Sequence, residues 1–262
     1  MPENDLTLLI AAAEAAGGIA ARHFGQAPRR WDKGAGQGPV SEADIEIDTM
    51  LRLRLLAARP DYGWLSEETP DDPARLASGS VFIVDPIDGT RAFLAGQKQF
   101  AHALAVAREG RITAGVVHLP LLGLTYAAAR GGGAWLNGRR LWVPQGVALG
   151  GARVLTGRAQ LAPENWPGGA PPVIAHQRPA LAWRLCLVAE GAFDAALTLR
   201  DAWHWDIAPG SLIAAEAGAA ITDRFGAPLG FNTPRPLSAG LVTAAPGLHG
   251  ALMARLIAEP AG

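Results

Sequence analysis

The sequence predicts a layered α/β sandwich of 262 residues, with an α+β first half and an alternating α/β second half. Three observations carry that reading. Apolar residues recur at helical spacing near the start. Short β segments follow one another without interruption between Ala103 and Val143. Beyond residue 152, strand-like and helix-like stretches alternate, the pattern of a sheet covered by helices.

The elements follow in chain order. Leu6, Leu9, Ile10, Ala13 and Ala16 define a helix from Asp5 to about His23, with Gly17 and Gly18 weakening its middle. A polar, glycine-rich loop, GQAPRRWDKGAGQGP, comes next and is long enough to suggest function. Ser41-Glu42-Ala43-Asp44 reads as a capping box that opens a helix running to about Ala58, and Pro60 stops it. Tyr62 to Leu65 reads as a short strand, and Val81 to Val84 as a strand buried on both faces. The β-rich stretch contains Asn137-Gly138, a strong hairpin turn. PQGVALGGA (144–152) marks a subdomain boundary, so residues 1–146 and 147–262 are expected as two subdomains. In the second, Val154-Leu155, Val173-Ile174 and Ala192 to Leu199 read as strands. Ala180 to Glu190, Asp206 to Ala217 and His249 to Glu259 read as helices.

Bulk properties narrow the function. Hydrophobic residues at 49% and charged residues at 18% fit a packed globular chain. The formal net charge of -1 and the lack of a basic stripe exclude a nucleic-acid polymer as partner. A small anion would have to be drawn by local features such as a bound cation. Cys186 is the sole cysteine, which excludes an internal disulfide and suits a reducing compartment. The opening MPENDLTLLIAAAEAAGG has acids where a signal peptide has bases, and no run of about 18 apolar residues exists. A cytoplasmic location, with no membrane association, is the resulting expectation.

Chemistry concentrates at four acidic sites: Asp44, Glu67, the Asp85/Asp88 pair and Asp206. Asp85 follows the buried strand, Pro86 is expected to turn the chain, and Asp88 comes three residues on. Gly89 permits an unusual φ, and Thr90 starts a helix whose free N–H groups suit a phosphate. Two carboxylates this close repel, and a dication relieves the repulsion. An all-oxygen set with no Cys/His ligand spacing favours magnesium over zinc. A bare DxxDG can be only a capped turn, but the six-residue string DPIDGT arises by chance roughly once in 10⁷ windows.

DPIDGT, with the preceding apolar strand and Ser66-Glu67-Glu68, resembles the first signature of the inositol monophosphatase family of lithium-sensitive, magnesium-dependent phosphatases. Trp205-Asp206-Ile207-Ala208-Pro209-Gly210, running to Glu216-Ala217-Gly218, resembles its second signature. Pro39-Val40-Ser41-Glu42-Ala43-Asp44 resembles its N-terminal element. The resemblance spans residues 5 to 258. It implies an α-β-α-β-α sandwich of the sugar-phosphatase type, two or three Mg²⁺ ions and a homodimer. By the same resemblance, Glu67, Asp85 and the carbonyl of Ile87 hold one metal, and Asp85, Asp88 and Asp206 hold another. Thr90 and Glu67 orient the attacking water, with Asp44 just behind. Asp88, Gly89 and Thr90 form the phosphate-contacting stretch. Alternatives from the residues alone stay open: Asp44 as a plain helix-start acid, Asp206 as an N-cap, Lys33 as a solvated loop charge, and Glu68 as a solvated neighbour. His102, His176 and His204 form no ligand pattern, and packing is the default for Trp203 and Trp205, with either able to border a substrate base as the alternative.

Several strings resemble the 3′(2′),5′-bisphosphate nucleotidase branch: Ser66-Glu67-Glu68 with Asp71-Asp72, Asp88-Gly89-Thr90-Arg91, and Pro228-Leu229-Gly230-Phe231-Asn232. Two positions depart from the pattern. Ala92 stands where that branch has a glutamate, and Arg178-Pro179-Ala180 replaces the family's Gly-Ser motif. Leu199 occupies the place of an acid that contacts inositol hydroxyls. The expected substrate is therefore adenosine 3′,5′-bisphosphate, with inositol 1-phosphate and then histidinol phosphate as alternatives. Lys33, Arg178 and Arg200 are candidate substrate contacts, with Arg184 as a further partner for a second phosphate. A reading from another class is a non-catalytic metal- or phosphate-binding protein.

Overall fold

The computed structural model describes residues 4–34 and 38–256. Six helices are present among them: α1 (Asp5–His23), α2 (Glu42–Ala58), α3 (Thr90–Leu94), α4 (Leu181–Ala189), α5 (His204–Glu216) and α6 (Pro246–Leu256). They cover two main sheets. The larger has seven strands in the order Gly63–Ser66, Ser80–Asp88, Ala101–Arg108, Arg111–Leu119, Leu124–Ala129, Ala134–Leu136, Arg139–Arg140. Only its first pair is parallel; the rest is an antiparallel meander. The smaller sheet has five strands, in the order Ile174–His176, Arg153–Leu155, Ala195–Thr198, Leu241–Ala244, Ala220–Thr222.

Side-chain alternation sets the layering. On the Ser80–Asp88 strand, Phe82 and Val84 face α1 and α2, where they meet Leu9, Ala16, Ile47 and Leu51. Val81 and Ile83 face the other way, toward Leu185, Val188, Ile207 and Leu212 of α4 and α5. The same cluster takes in Leu155, Ala196 and Leu241 of the smaller sheet. The far face of that sheet, with Val154, Leu197 and Val242, is covered by Leu248, Leu252 and Met253 of α6. The order is helix, sheet, helix, sheet, helix, which is the five-layer sandwich. Because α4 and α5 form the middle layer, the large sheet is covered on both faces. The whole Ser80–Asp88 strand is accordingly buried, which explains its continuous apolar run up to the site acids.

Close approach of the layers depends on glycines. A Cβ on Gly115 would lie 2.9 Å from Pro209 Cα, and one on Gly210 would lie 2.9 Å from Ala182 O. The helix α5 is thereby seated directly on the sheet and against α4. Gly17, expected to weaken α1, has the same role: a Cβ there would meet Pro120 Cβ at 2.8 Å.

Three local expectations are corrected. The chain does not turn at Pro86. The strand continues through Asp88, with a register shift between Asp85 and Asp88, and the turn comes at Gly89, where φ is 97°. A proline is tolerated here because it sits in that bulge, outside the regular ladder. The helix expected from Asp206 begins at His204, so Asp206 is its third residue and not its N-cap. The C-terminal helix starts at Pro246, and the expected residues 257–259 lie outside the described residues. No helix among the described residues is long and apolar enough to cross a membrane.

Candidate active site

The bulge in the Ser80–Asp88 strand is the foundation of the site. It frees the Pro86 carbonyl from the ladder, and His102 Nδ1 on the neighbouring strand lies 2.5 Å from that oxygen. Burial drives the His102 pKa down to about 4, so the ring is neutral and Nδ1 carries the donated proton. Asp85 and Asp88 thus project from an anchored segment. The helix α5, seated on the same sheet, brings Asp206. Carboxylate oxygens of Asp85, Asp88 and Asp206 all lie within 4.8 Å of one another.

Each of these acids has a distinct environment. Asp88 accepts N–H bonds from Leu181 (3.0 Å) and Ala182 (2.7 Å), so it caps the start of α4 from far back in the chain. Burial still outweighs those bonds and raises Asp88 to about 7. Asp85 is buried, its Oδ1 has no hydrogen-bond partner, and burial with Glu67, Asp88 and Asp206 nearby holds its pKa well above the usual range. Asp206 is raised for the same reasons, burial first and then Asp88 and Glu67, while a hydrogen bond with Asp85 opposes.

Asp44, Thr90 and Ile87 form one chain of contacts. Asp44 Oδ2 accepts from the Ser41 N–H (2.8 Å) and hydroxyl (2.5 Å), the side-chain half of the capping box that opens α2. Its Oδ1 accepts from the Thr90 hydroxyl at 3.2 Å, and Thr90 Oγ1 also lies 3.0 Å from Ile87 O. Burial lifts Asp44 to about 6 against the Ser41 and Thr90 bonds. Asp44 therefore reaches the site through Thr90, beyond its part in starting the helix.

Glu67 leaves the end of the Gly63–Ser66 strand half-buried. Lys33 Nζ bridges it to Glu68, at 2.8 Å from an oxygen of each. Burial pulls the lysine pKa down, but the two carboxylates prevail and hold it above its usual value. Burial raises Glu68 to about 7 despite Lys33. Lys33 and Glu68, left open as solvated charges, are thus tied to the site. Asp48 had not been singled out. It lies one helical turn beyond Asp44 on α2 and accepts from both Ser66 Oγ and Thr69 Oγ1. It clamps the two ends of the turn that carries Glu67 and Glu68. The i, i+4 spacing from Asp44 was the available signal.

Glu67, Asp85, Ile87, Asp88, Thr90 and Asp206 line one cleft of about 400 Å³, which also holds Gly89, Arg91, Arg184, Trp203 and Trp205. The candidate basic contacts separate. Lys33 and Arg184 line the cleft. Arg178 does not, because its guanidinium lies 5.2 Å from the Phe193 ring centroid; its carbonyl instead anchors Arg184 Nε at 2.6 Å. Arg200 is exposed just past the Ala195–Thr198 strand and is also absent from the cleft.

The donor set fits a divalent cation. Three converging carboxylates, one with a buried unpartnered oxygen, and a half-buried fourth at Glu67 supply oxygen only. Packed like charges of this kind need protons or cations to stay close, and oxygen sets suit Mg²⁺.

The sequence model of the inositol monophosphatase family matches residues 1–260. An inositol-1-monophosphatase of Rhizobium meliloti is 36% identical over 247 residues, covering 90% of each chain. A 3′(2′),5′-bisphosphate nucleotidase of Aggregatibacter actinomycetemcomitans is 30% identical over 208 residues, 74% of this chain and 75% of the relative. The crystal structure of the extragenic suppressor protein suhB from Bartonella henselae superposes with a TM-score of 0.81 at 27% identity, covering 95% of this chain and 97% of that one.

Proposed function

The chain belongs to the inositol monophosphatase family and is a phosphatase, a phosphoric monoester hydrolase; from that premise we propose a reaction, a metal and a substrate. The reaction is hydrolysis of a small phosphate monoester by water. Magnesium would be held by Glu67, Asp85, the Ile87 carbonyl, Asp88 and Asp206. When bound, it would supply electrophilic polarisation of the phosphoryl group and a more acidic water.

The chain's own residues do the rest. Thr90 gives its hydroxyl proton toward Asp44 and Ile87 O, so its free lone pair accepts a hydrogen bond from the attacking water. Glu67, across the cleft, takes the water's second contact and its proton. Backbone N–H groups of Gly89 and Thr90 hold the phosphate. Asp88 contributes its charge to the metal and its geometry to α4, so direct phosphate contact falls to the backbone. As water adds to phosphorus, the bond to the leaving oxygen breaks in line, and that oxygen takes a proton from solvent water to leave as the alcohol. The observation that carries this reading is the convergence of Asp85, Asp88 and Asp206 within 4.8 Å on the same cleft as Glu67 and Thr90.

For the substrate, Lys33 and Arg184 beside the cleft support a second anionic group, and adenosine 3′,5′-bisphosphate remains the first choice. Inositol 1-phosphate is the second reading, favoured by the higher identity to an inositol-1-monophosphatase. In this proposal residues 1–146 carry the metal site and 147–262 supply Asp206 and the leaving-group contacts, and the protein works in the cytoplasm as a homodimer. Phosphate release from adenosine 3′,5′-bisphosphate, inositol 1-phosphate and histidinol phosphate, with Mg²⁺ or EDTA, tests it. A clear preference for either of the latter two removes the nucleotide assignment. Equal release by wild type and Asp88→Asn removes the catalytic mechanism.

A further inference from the structure

The acid-lined cleft opens sideways into a second depression of about 570 Å³. Lys33, Glu67, Trp203 and Trp205 line both. Its volume falls in the usual range for small-molecule sites, about 300–1,000 Å³.

The shared wall is a stacked pair of indoles. Trp203 and Trp205 have centroids 4.7 Å apart and planes only 8° from parallel. The backbone creates this pair. Trp203 ends the short strand Ala202–Trp203 and Trp205 is the second residue of α5. His204 between them turns inward, fully buried, with its ring 5.2 Å from that of Phe231. Both indoles are left half-buried on the cleft side.

The rest of the groove mixes apolar Val40, Ile45, Pro70, Pro234 and Pro236 with charged rims at Glu68, Asp71 and Arg235. The hydroxyls of Ser66 and Thr69, also on this wall, are already given to Asp48. The rims are held at a fixed spacing. Arg75 is buried, bonds Asp71 with two nitrogens (2.6 and 2.9 Å), and reaches across to Asn232 Oδ1 (2.6 Å) and Thr233 O (3.0 Å). One arm of that staple holds the Pro70-Asp71 rim and the other the approach to Pro234. The groove is therefore preformed.

We propose that this groove is a leaving-group subsite for a planar aromatic ring, which stacks on the Trp203–Trp205 pair while the phosphate sits at the carboxylates. The inference rests on the phosphatase reading of the adjoining cleft. A polyol laid on the indole pair would bring hydroxyls against an apolar face and lose hydrogen bonds to water there. A flat ring presents apolar faces and gains the stacking contact.

Benzyl phosphate and cyclohexylmethyl phosphate test the subsite, because both release primary alcohols and differ in ring planarity. With Mg²⁺, kcat/KM is expected to be roughly three- to tenfold higher for the benzyl ester. Trp203→Leu should erase that ratio through KM, Trp203→Phe should retain most of it, and Trp142→Phe, at an exposed tryptophan elsewhere, should leave it unchanged. Equal kcat/KM for the two esters in the wild type overturns the proposal, as does a proportional loss on both in Trp203→Leu. If neither ester nor any of the three phosphates named above releases phosphate, the proposed reaction fails separately. Tryptophan fluorescence then decides the subsite: saturable quenching by adenosine 5′-monophosphate that Trp203→Leu abolishes supports it, and no quenching overturns it.

Discussion

Replacing Asp206 by asparagine is expected to stabilise the metal-free protein while destroying its activity. Carboxylate oxygens of Asp206, Asp85 and Asp88 lie within 4.8 Å of one another. At that separation and an effective dielectric near 20, two unit charges repel by about 3.5 kcal/mol. The Asp206→Asn change removes one of those charges and offers a side-chain amide as donor to Asp85, which already shares a hydrogen bond with Asp206. The change also forfeits attraction to Lys33 and Arg184, so a net gain of about 2–3 kcal/mol is expected at a pH high enough to ionise these carboxylates. For a chain of this size that raises the melting temperature by roughly 4–12 °C. The sign with pH is fixed. All three carboxylates have folded pKa values raised above the usual 3.8, with Asp88 at about 7. At these three groups the folded state then holds more protons than the unfolded one, so their contribution to stability is full below about pH 4 and is lost as pH rises toward 7 and beyond. The variant's advantage should grow over the same window. The assay is thermal unfolding of both proteins in EDTA at pH 5 and pH 8, repeated with Mg²⁺. With Mg²⁺ the order should reverse, because the wild type gains binding free energy that the variant largely lacks. A variant less stable than wild type in EDTA at pH 8 would refute the reasoning.

Other variants probe the neighbouring parts. Thr90→Val keeps the shape of a buried side chain and removes the hydroxyl between Asp44 and Ile87 O, so kcat should fall about 10²–10³-fold with KM nearly constant in steady-state assays. Asp48→Ala releases Ser66 and Thr69 and should raise the Mg²⁺ concentration for half-maximal activity about tenfold, with Asp48→Asn recovering part of it. Gly115→Ala drives a methyl to 2.9 Å from Pro209 Cα, which should cost about 1–3 kcal/mol by denaturant titration and lower activity by displacing the helix that carries Asp206.

Local pattern made much of this protein legible. The Ser41–Asp44 box, the Asn137-Gly138 hairpin (φ 48° and 79°) and the helix limits Asp5–His23 and Glu42–Ala58 follow from near-neighbour chemistry. DPIDGT, with Glu67 before it and Asp206 after it, named the acids that meet. Less legible were features whose cause lies far along the chain. Pro86 looked like a turn, yet pairing with the Ala101–Arg108 strand absorbs it as a bulge, and His102 from that strand meets the freed carbonyl. Leu241–Ala244 was not anticipated as a strand, although it sits inside the smaller sheet between two partners.

The sequence alone determined which acids are candidates for the site, because Asp85, Asp88 and Asp206 stand beside glycine and proline in recognisable local contexts. Only the tertiary structure decided their states. Asp88 became the cap of α4 through Leu181 and Ala182, Lys33 became the bridge between Glu67 and Glu68, and Arg178 was turned away onto Phe193 while Arg184 stayed in the cleft. The reason is physical: charge repulsion, desolvation and stacking act through space at a few ångströms, and the layers of the sandwich set those distances between residues more than ninety positions apart, as with Asp88 and the Leu181 and Ala182 N–H groups.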